Sequence, residues 1–286
     1  MIQSMTGFGK ASLQLPTKKI TVEVKSLNSK GLDLNVRMPG NLREMELGLR
    51  NVISQKLERG KVDFSLYVEI TAEETSSKIN VPIVKAYIAQ MKEVIPNGDD
   101  TELMKMAVRM PDALKVEREE IDESEWAQIQ EVINEALQNI QNFRISEGVS
   151  LEKEFLMRIS NIMRLMHETV AFDTERIANV KDRLRGSIAE LAVNVDENRF
   201  EQELIFYLEK MDITEEKVRL ETHLNYFIET LAGTEANGRK LGFIGQEMGR
   251  EINTMGSKAN HSGMQKLVVQ MKDELEKIKE QVLNVL

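Results

Sequence analysis

Apolar and polar residues alternate in short runs at the start of the chain. Residues 2–14, Lys19–Val24 (KITVEV) and Leu32–Met38 (LDLNVRM) put every second side chain on one face, which predicts strands. Gly7 and Gly9, around Phe8, predict a bulge or sharp bend in the first of them. Pro39-Gly40 ends the alternation, and Asn41 with Glu44 three residues on resembles a capping box with Asn in the cap position. Leu42, Met45, Leu49, Val52, Ile53 and Leu57 then recur at helical period as far as Gly60, and Val62–Ala72 (VDFSLYVEITA) returns to strand. Residues 1–75 therefore read as a small α+β unit with four strands and one helix.

From about Ser76 the pattern is helical. Ile79–Ile95 reads as a helix with Pro82 in its first turn, Asn97–Asp100 as a loop, and Thr101–Val108 as a short helix. Pro111–Glu125 is acidic and irregular. Trp126 to about Leu191 keeps helical period through Ile129, Ile133, Leu137, Ile140, Leu151, Phe155, Ile159, Ile162 and Leu165, without proline and with only Gly148 and Gly186 inside. Such a run predicts two long helices or one extended antiparallel hairpin, an arm suited to assembly. Glu197–Lys210 follows, then a helix opened by Asp212 and Glu215 in capping-box spacing and ended by Gly233. The next runs from Gly238 to Lys258, Asn260–Gly263 interrupts, and Leu267–Leu286 closes the chain as an amphipathic helix. The fold class is α+β: the N-terminal unit (1–75), a long-helix region (76–195), and a C-terminal helical domain (196–286).

The segment Gly238–Lys258, GRKLGFIGQEMGREINTMGSK, stands apart. As a helix it sets Glu247, Glu251, Thr254 and Lys258 on one ridge and Gln246, Arg250, Asn253 and Ser257 on the next. Leu241, Ile244, Met248, Ile252 and Met255 form the apolar stripe that seats it. Carboxylates, a guanidinium, an amide, hydroxyls and an ammonium on one side are the groups that handle phosphate and metal. A solvated helix laced with i, i+4 ion pairs would carry the same types.

Composition narrows the chemistry. A chain of 286 residues, 41% hydrophobic and 30% charged, buries a substantial core and is expected to be soluble. It has no apolar run of membrane-spanning length. Its start, MIQSMTGFGK, lacks the features of a signal peptide, so the expected location is the cytoplasm. The absence of cysteine excludes disulfides, thiolate zinc sites and cysteine nucleophiles. Only 5% of residues are aromatic, so large base-stacking platforms are not expected.

The net charge of −9 argues against a simple basic coat for nucleic acid. Lys18–Lys61 nevertheless holds ten Lys/Arg against five Asp/Glu, a net +5 that leaves −14 for the rest. Such a basic segment suits a polyanion held in a groove or lumen, or a self-complementary pairing between subunits. Arg43 and Arg50 share one helix face, and Arg59 and Lys61 bracket the turn into the next strand. Together they would make a phosphate-binding surface.

The three histidines are His167, His223 and His261, and His223 shares a ridge with Glu216 and Arg219, a set able to bind a divalent metal or exchange protons. No Walker loop, HExxH, GxSxG or dinucleotide-binding glycine pattern is present. The remaining inventory, carboxylates with Arg and Lys nearby, fits metal-assisted hydrolysis of a phosphodiester.

Several segments, in order, resemble the YicC/YloC family: SMTGFG (Ser4–Gly9), RMPGNLREME (Arg37–Glu46), RGKVD (Arg59–Asp63), SEG (Ser146–Gly148), DITEEKVRLETHL (Asp212–Leu224), GRKLGFIGQEMGREINTMGSKAN (Gly238–Asn260) and EKIKEQVLNV near the end. The resemblance spans nearly the whole chain. It implies a cytoplasmic endoribonuclease, dependent on divalent metal (Mg²⁺ or Mn²⁺), that forms a homo-hexamer with RNA entering a central cavity. Carried over, the motif marks Arg239, Lys240, Gln246, Glu247, Arg250, Glu251, Asn253, Thr254, Ser257 and Lys258, joined by Glu215, Glu216, Arg219 and His223 from the preceding helix. Gly249 stands where the family commonly has Asn.

The expected division of labour gives the metal to Glu216, Glu247 and Glu251. Arg250, Lys258 and Arg239 steady the scissile phosphate, and His223 is the base if the RNA 2′-OH attacks. RNA contacts are expected from Arg37, Arg43, Arg50, Arg59, Lys61, Arg239, Lys240, Asn253, Thr254 and Ser257. The competing expectation is a ring-forming RNA-binding or adaptor protein in which the polar helix is a subunit seam.

Overall fold

The structure, a computed structural model, describes residues 2–71, 78–115, 122–190, 196–233 and 237–286. Strands β1 (Gly7–Gln14), β2 (Lys18–Leu27), β3 (Leu32–Arg37) and β4 (Gly60–Ile70) form one sheet in the order β1-β2-β4-β3. β3 runs parallel to β4 and the other pairs are antiparallel. A 3₁₀ turn (Gly40–Met45) and helix α1 (Glu46–Lys56) cross from β3 to β4, burying Leu42, Leu49, Ile53 and Leu57. The four-strand, one-helix unit is as its periodicity predicts; the part of the last strand expected at Ala72 lies outside the described residues.

Three local expectations fail here, each for a physical reason. Residues 2–6 do not extend β1; Met5 N–H donates to Asn284 O at 2.7 Å and Leu286 N–H to Gln3 O at 3.0 Å, so this segment pairs with the chain's other end. The Asn41–Glu44 capping box does not form, because the turn starts after Pro39 without a side-chain cap. There is no bulge at Gly7–Gly9, since β1 pairs with β2 in regular register from Gly7↔Ser26 to Gln14↔Lys19. A Cβ on Gly9 would lie 2.2 Å from Ala136 O, so these glycines serve a close approach to a helix.

That helix is α4 (Glu123–Glu168), 46 residues long and capped by Asp122, which accepts from Glu125 N–H. It settles the choice left open between two helices and one hairpin. A 3₁₀ turn (Thr169–Phe172) separates α4 from α5 (Asp173–Glu190), and Leu191 lies outside the described residues. Before α4, the chain is not wholly helical: β5 (Lys78–Ile79) pairs with β6 (Leu114–Lys115) around α2 (Val81–Val94) and α3 (Asp100–Ala107). β6 falls inside the stretch that reads as irregular, where residues 116–121 are outside the described set, while β5 takes Ile79 out of the expected Ile79–Ile95 helix, which starts at Val81. Then come α6 (Glu197–Met211), α7 (Thr214–Ala232), α8 (Gly238–Lys258) and α9 (Ser262–Val282).

α4 belongs to two cores. Its first half lays Ile129, Ile133, Ala136, Leu137 and Ile140 on the sheet residues Ile20, Val22, Val24, Val62 and Phe64. Its second half packs Leu151, Phe155, Ile159 and Ile162 against α7, α8 and α9. Between them Arg144, 2% exposed, reaches Met5 O at 3.1 Å, Arg59 O at 3.2 Å and the Ser26 hydroxyl. Its burial lowers the guanidinium pKa from the ordinary value. Gly60 lies beside it at φ +127°, a conformation other residues avoid. On α9, Glu274 accepts from Arg158 at 3.2 Å and from Asn161 at 3.2 Å, tying that helix to α4.

The Gly9 contact makes a direct test. Gly9→Ala is expected to lower stability by at least about 1–3 kcal/mol, the usual range for overpacking a filled interior. Gly31→Ala, where a Cβ meets nothing within 4 Å, is expected to change it far less. Denaturant unfolding of both variants reads the difference.

Candidate active site between α7 and α8

The two helices form an antiparallel pair pinned at both ends. At one end Lys258 Nζ is 2.7 Å from Glu216 Oε1, with the Glu216 side chain 8% exposed and Lys258 30%. At the other, Lys240 Nζ sits 4.8 Å from the Tyr226 ring centroid. This register sets His223 level with the turn that carries Glu247 and Glu251. No hydrogen bond or ion pair joins His223 to either among the described residues.

α8 is wedged between α7 and α9, and that narrows its wet side. Leu241, Ile244, Met248, Ile252 and Met255 are buried, as the periodicity predicts. Gly249 and Gly256 face α9 closely; a Cβ there would come within 3.3 Å of Leu275 and 3.0 Å of Val268. Gly249 is therefore a packing position, and the Asn common there in the family would meet α9.

The expected ridge of Glu247, Glu251, Thr254 and Lys258 is not uniformly exposed. Arg239, Lys240, Phe243, Gln246, Glu247, Arg250, Asn253 and Ser257 face outward, while Glu251 is 6% exposed. Among the described residues Glu251 has no hydrogen-bond or ion-pair partner. Its carboxylate oxygens still meet solvent, whereas the Glu216 Oε2 atom is buried without a partner. A buried carboxylate oxygen is costly unless something compensates it. Thr254 and Ser257 donate their hydroxyls to Arg250 O at 3.0 Å and Thr254 O at 2.8 Å, leaving oxygen lone pairs for a donor. Glu247 and Arg250 are 4.0 Å apart and largely solvated.

A second set of charges steadies the Lys258 end. Arg176 of α5, 5% exposed, donates to Met211 O at 3.0 Å and to Lys258 O at 3.3 Å, holding the end of α8 against the α6–α7 corner. Asp212 accepts from Thr214 N–H at 2.9 Å and from its hydroxyl at 2.7 Å. The expected Asp212–Glu215 capping box does not form: the helix starts one residue later, with Ile213 in the cap position, and Glu215 pairs with Arg219. The hydroxyl and amide bonds from Thr214, with Lys258 and Arg176 nearby, hold Asp212 below its usual carboxylate range. Sequence gave no signal for Arg176, whose partners lie 35 and 82 residues away.

The basic N-terminal residues sit elsewhere. Arg50 is held by Glu46 at 2.9 Å and Leu34 O at 3.0 Å, and Arg59 Nε donates to Ser29 O at 2.9 Å, so both brace the β3 end of the sheet. Arg37 lines a cleft of about 240 Å³ on the open sheet face with Glu23, Lys25, Asp63, Ser65 and Tyr67. Arg43 and Lys61 are exposed. The strand end that carries Lys61 is nevertheless joined to the start of α8 through the chain's last residues: Lys61 pairs in register with Leu27, the neighbouring Asn28 donates to Leu283 O at 2.6 Å, and Gly238 N–H donates to Leu286 O at 3.2 Å. No hydrogen bond or ion pair joins these cations to α8 among the described residues.

Nor does one chain assemble a metal centre by itself: no three of His, Asp or Glu among the described residues group around one point. The orphaned Glu216 Oε2 is a suitable donor, but of the expected trio Glu216, Glu247 and Glu251 the first is already paired with Lys258 through its other oxygen.

An α+β chain with a carboxylate- and cation-bearing helix seam belongs among proteins that handle phosphate-bearing ligands. The comparisons make this specific. Residues 2–153 match the model of the N-terminal region of YicC-like endoribonucleases, and residues 168–286 match that of their C-terminal region. The chain is 32% identical over 293 residues to the probable endoribonuclease YicC of Clostridioides difficile, covering 100% of both chains. It is 26% identical over 296 residues to the probable endoribonuclease YicC of Haemophilus influenzae, again covering 100% of both. The chain belongs to the YicC-like endoribonuclease family. Among the described residues no helix is long and apolar enough to cross a membrane.

Lys258→Met leaves the Glu216 carboxylate without its counter-charge. Breaking a fully buried pair costs about 3–5 kcal/mol, and the partial exposure of Lys258 roughly halves that. The double change Lys258→Met with Glu216→Leu should recover much of the loss in chemical denaturation. Asp212→Ala should cost about 1 kcal/mol through the two lost bonds from Thr214. Because folding lowers the Asp212 pKa, its contribution is full above the unfolded carboxylate value of about 3.9 and fades as pH falls through the folded one. Comparing unfolding of wild type and Asp212→Ala at pH 7 and pH 3 should show the gap closing.

Proposed function

We propose that this protein is a cytoplasmic endoribonuclease that cuts RNA internally, works as a homo-hexamer enclosing its substrate, and requires a divalent cation. The observation that carries the site assignment is Glu251, a residue 6% exposed whose unpartnered carboxylate, among the described residues, still reaches solvent beside the outward face of α8. The full-length relatives named as probable endoribonucleases support RNA as substrate. In this reading Arg250, Arg239 and Lys240 neutralise the phosphate, Asn253, Thr254 and Ser257 contact the strand, and His223 accepts the proton of the attacking hydroxyl or water. Lys258, held by Glu216, positions α8 against α7. Arg37, Arg43 and Lys61 supply a second cationic surface on the sheet unit, which an enclosing assembly would bring round the same RNA. Cation ligands beyond Glu247 and Glu251 would come from outside a single chain's carboxylates.

A second reading, a ring-forming RNA-binding or adaptor protein, is favoured by apolar residues on outer faces: Ile205 at 58%, Phe206 at 55% and Val218 at 60% exposed. One assay separates the two. Labelled structured RNA is incubated with the protein in Mg²⁺, in Mn²⁺ and in EDTA, beside a Glu247→Gln/Glu251→Gln variant checked for native size. Internal cuts that need the cation and vanish in a full-sized variant are expected. Binding without cutting would favour the adaptor, and a variant that falls apart would make α8 a seam.

A further inference from the structure

The most exposed large apolar side chain on α8 is Phe243, at 67%, set among the polar residues of its outward face. Across from it on α7, Tyr226 is 43% exposed and carries the Lys240 ammonium 4.8 Å from its ring centroid. Both rings adjoin the candidate site through the helix surface. Phe243 lies three residues after Lys240 and four before Glu247, and Tyr226 lies three after His223, so each is one turn from a residue assigned to the chemistry. Neither ring makes an aromatic pair among the described residues.

We infer that Tyr226, Lys240 and Phe243 form a nucleobase-stacking subsite beside the scissile phosphate. This rests on the reading of the α7–α8 seam as a ribonuclease site. An exposed aromatic face next to cations is what a single-stranded RNA engages: the base stacks on the ring while Lys and Arg take the phosphate. The charges agree, since Arg239 and Lys240 have no ion-pair partner among the described residues. Stacking accepts any base, so the subsite positions an unpaired nucleotide next to the cut and selects single-stranded segments over a sequence. The low aromatic content argues against a broad platform, not against two rings at one place.

The test pairs protein and substrate changes. A short RNA with a single cut site is prepared intact and with one base at a time replaced by an abasic sugar. Cleavage is measured for wild type, Phe243→Leu, Phe243→Trp and Tyr226→Leu, each checked for native size. Removing one base near the cut is expected to raise KM roughly ten- to a hundredfold for wild type, with a smaller change in kcat. Phe243→Leu and Tyr226→Leu should show that loss on intact RNA and no further loss on the abasic strand, and Phe243→Trp should restore wild-type behaviour. Equal sensitivity to the abasic sugar in wild type and variants would overturn the subsite. So would loss of native size in both Leu variants, which would assign the rings to a subunit contact. If wild type cuts no RNA, the ribonuclease reading fails separately. Quenching of an RNA carrying 2-aminopurine then decides the subsite: quenching lost in Phe243→Leu supports it, and no quenching overturns it.

Discussion

Everything in this molecule is referred to one long helix. α4 gives its first half to the sheet and its second half to the helical core, so neither core is complete without it. The change of partner occurs around Arg144, whose guanidinium satisfies carbonyls from the amino-terminal segment and from the β4 turn. A buried cation surrounded by oxygen acceptors is worth keeping only if all elements stay in place, because losing one acceptor leaves a desolvated donor. The two ends of the described chain reinforce the joint: Gly238 N–H donates to Leu286 O at 3.2 Å, so the start of α8 is tied to the residues that also pair with Gln3–Met5.

The site inherits its precision from this arrangement. α8 is pressed onto α9 through glycines and onto α7 through Glu216–Lys258, with Arg176 on its last carbonyls. These contacts leave a narrow outward strip for Arg250, Asn253 and Ser257 and bury most of Glu251, whose unpartnered carboxylate keeps contact with solvent at the edge of the strip.

The cations divide by what they already hold. Arg50 and Arg59 spend their donors on the sheet and hold the β3 end in shape. Arg37, Arg43, Lys61 and Arg239 have no hydrogen-bond or ion-pair partner among the described residues, and in the proposed reading they face RNA. Tyr226 and Phe243 add the apolar contact that charges alone cannot supply to an unpaired base.

Periodicity alone determined most of the elements, because strands and amphipathic helices write their buried face every second residue or every three to four. It marked the α8 stripe of Leu241 to Met255 residue by residue. It misjudged Gly7 and Gly9, since a glycine placed for a close neighbour looks the same as one placed for a bend. The capture of Lys258 by Glu216 and the reach of Arg176 to the end of α8 belonged to tertiary structure. Each depends on a partner 35 or more residues away, and spacing along one helix carries no record of what packs against it.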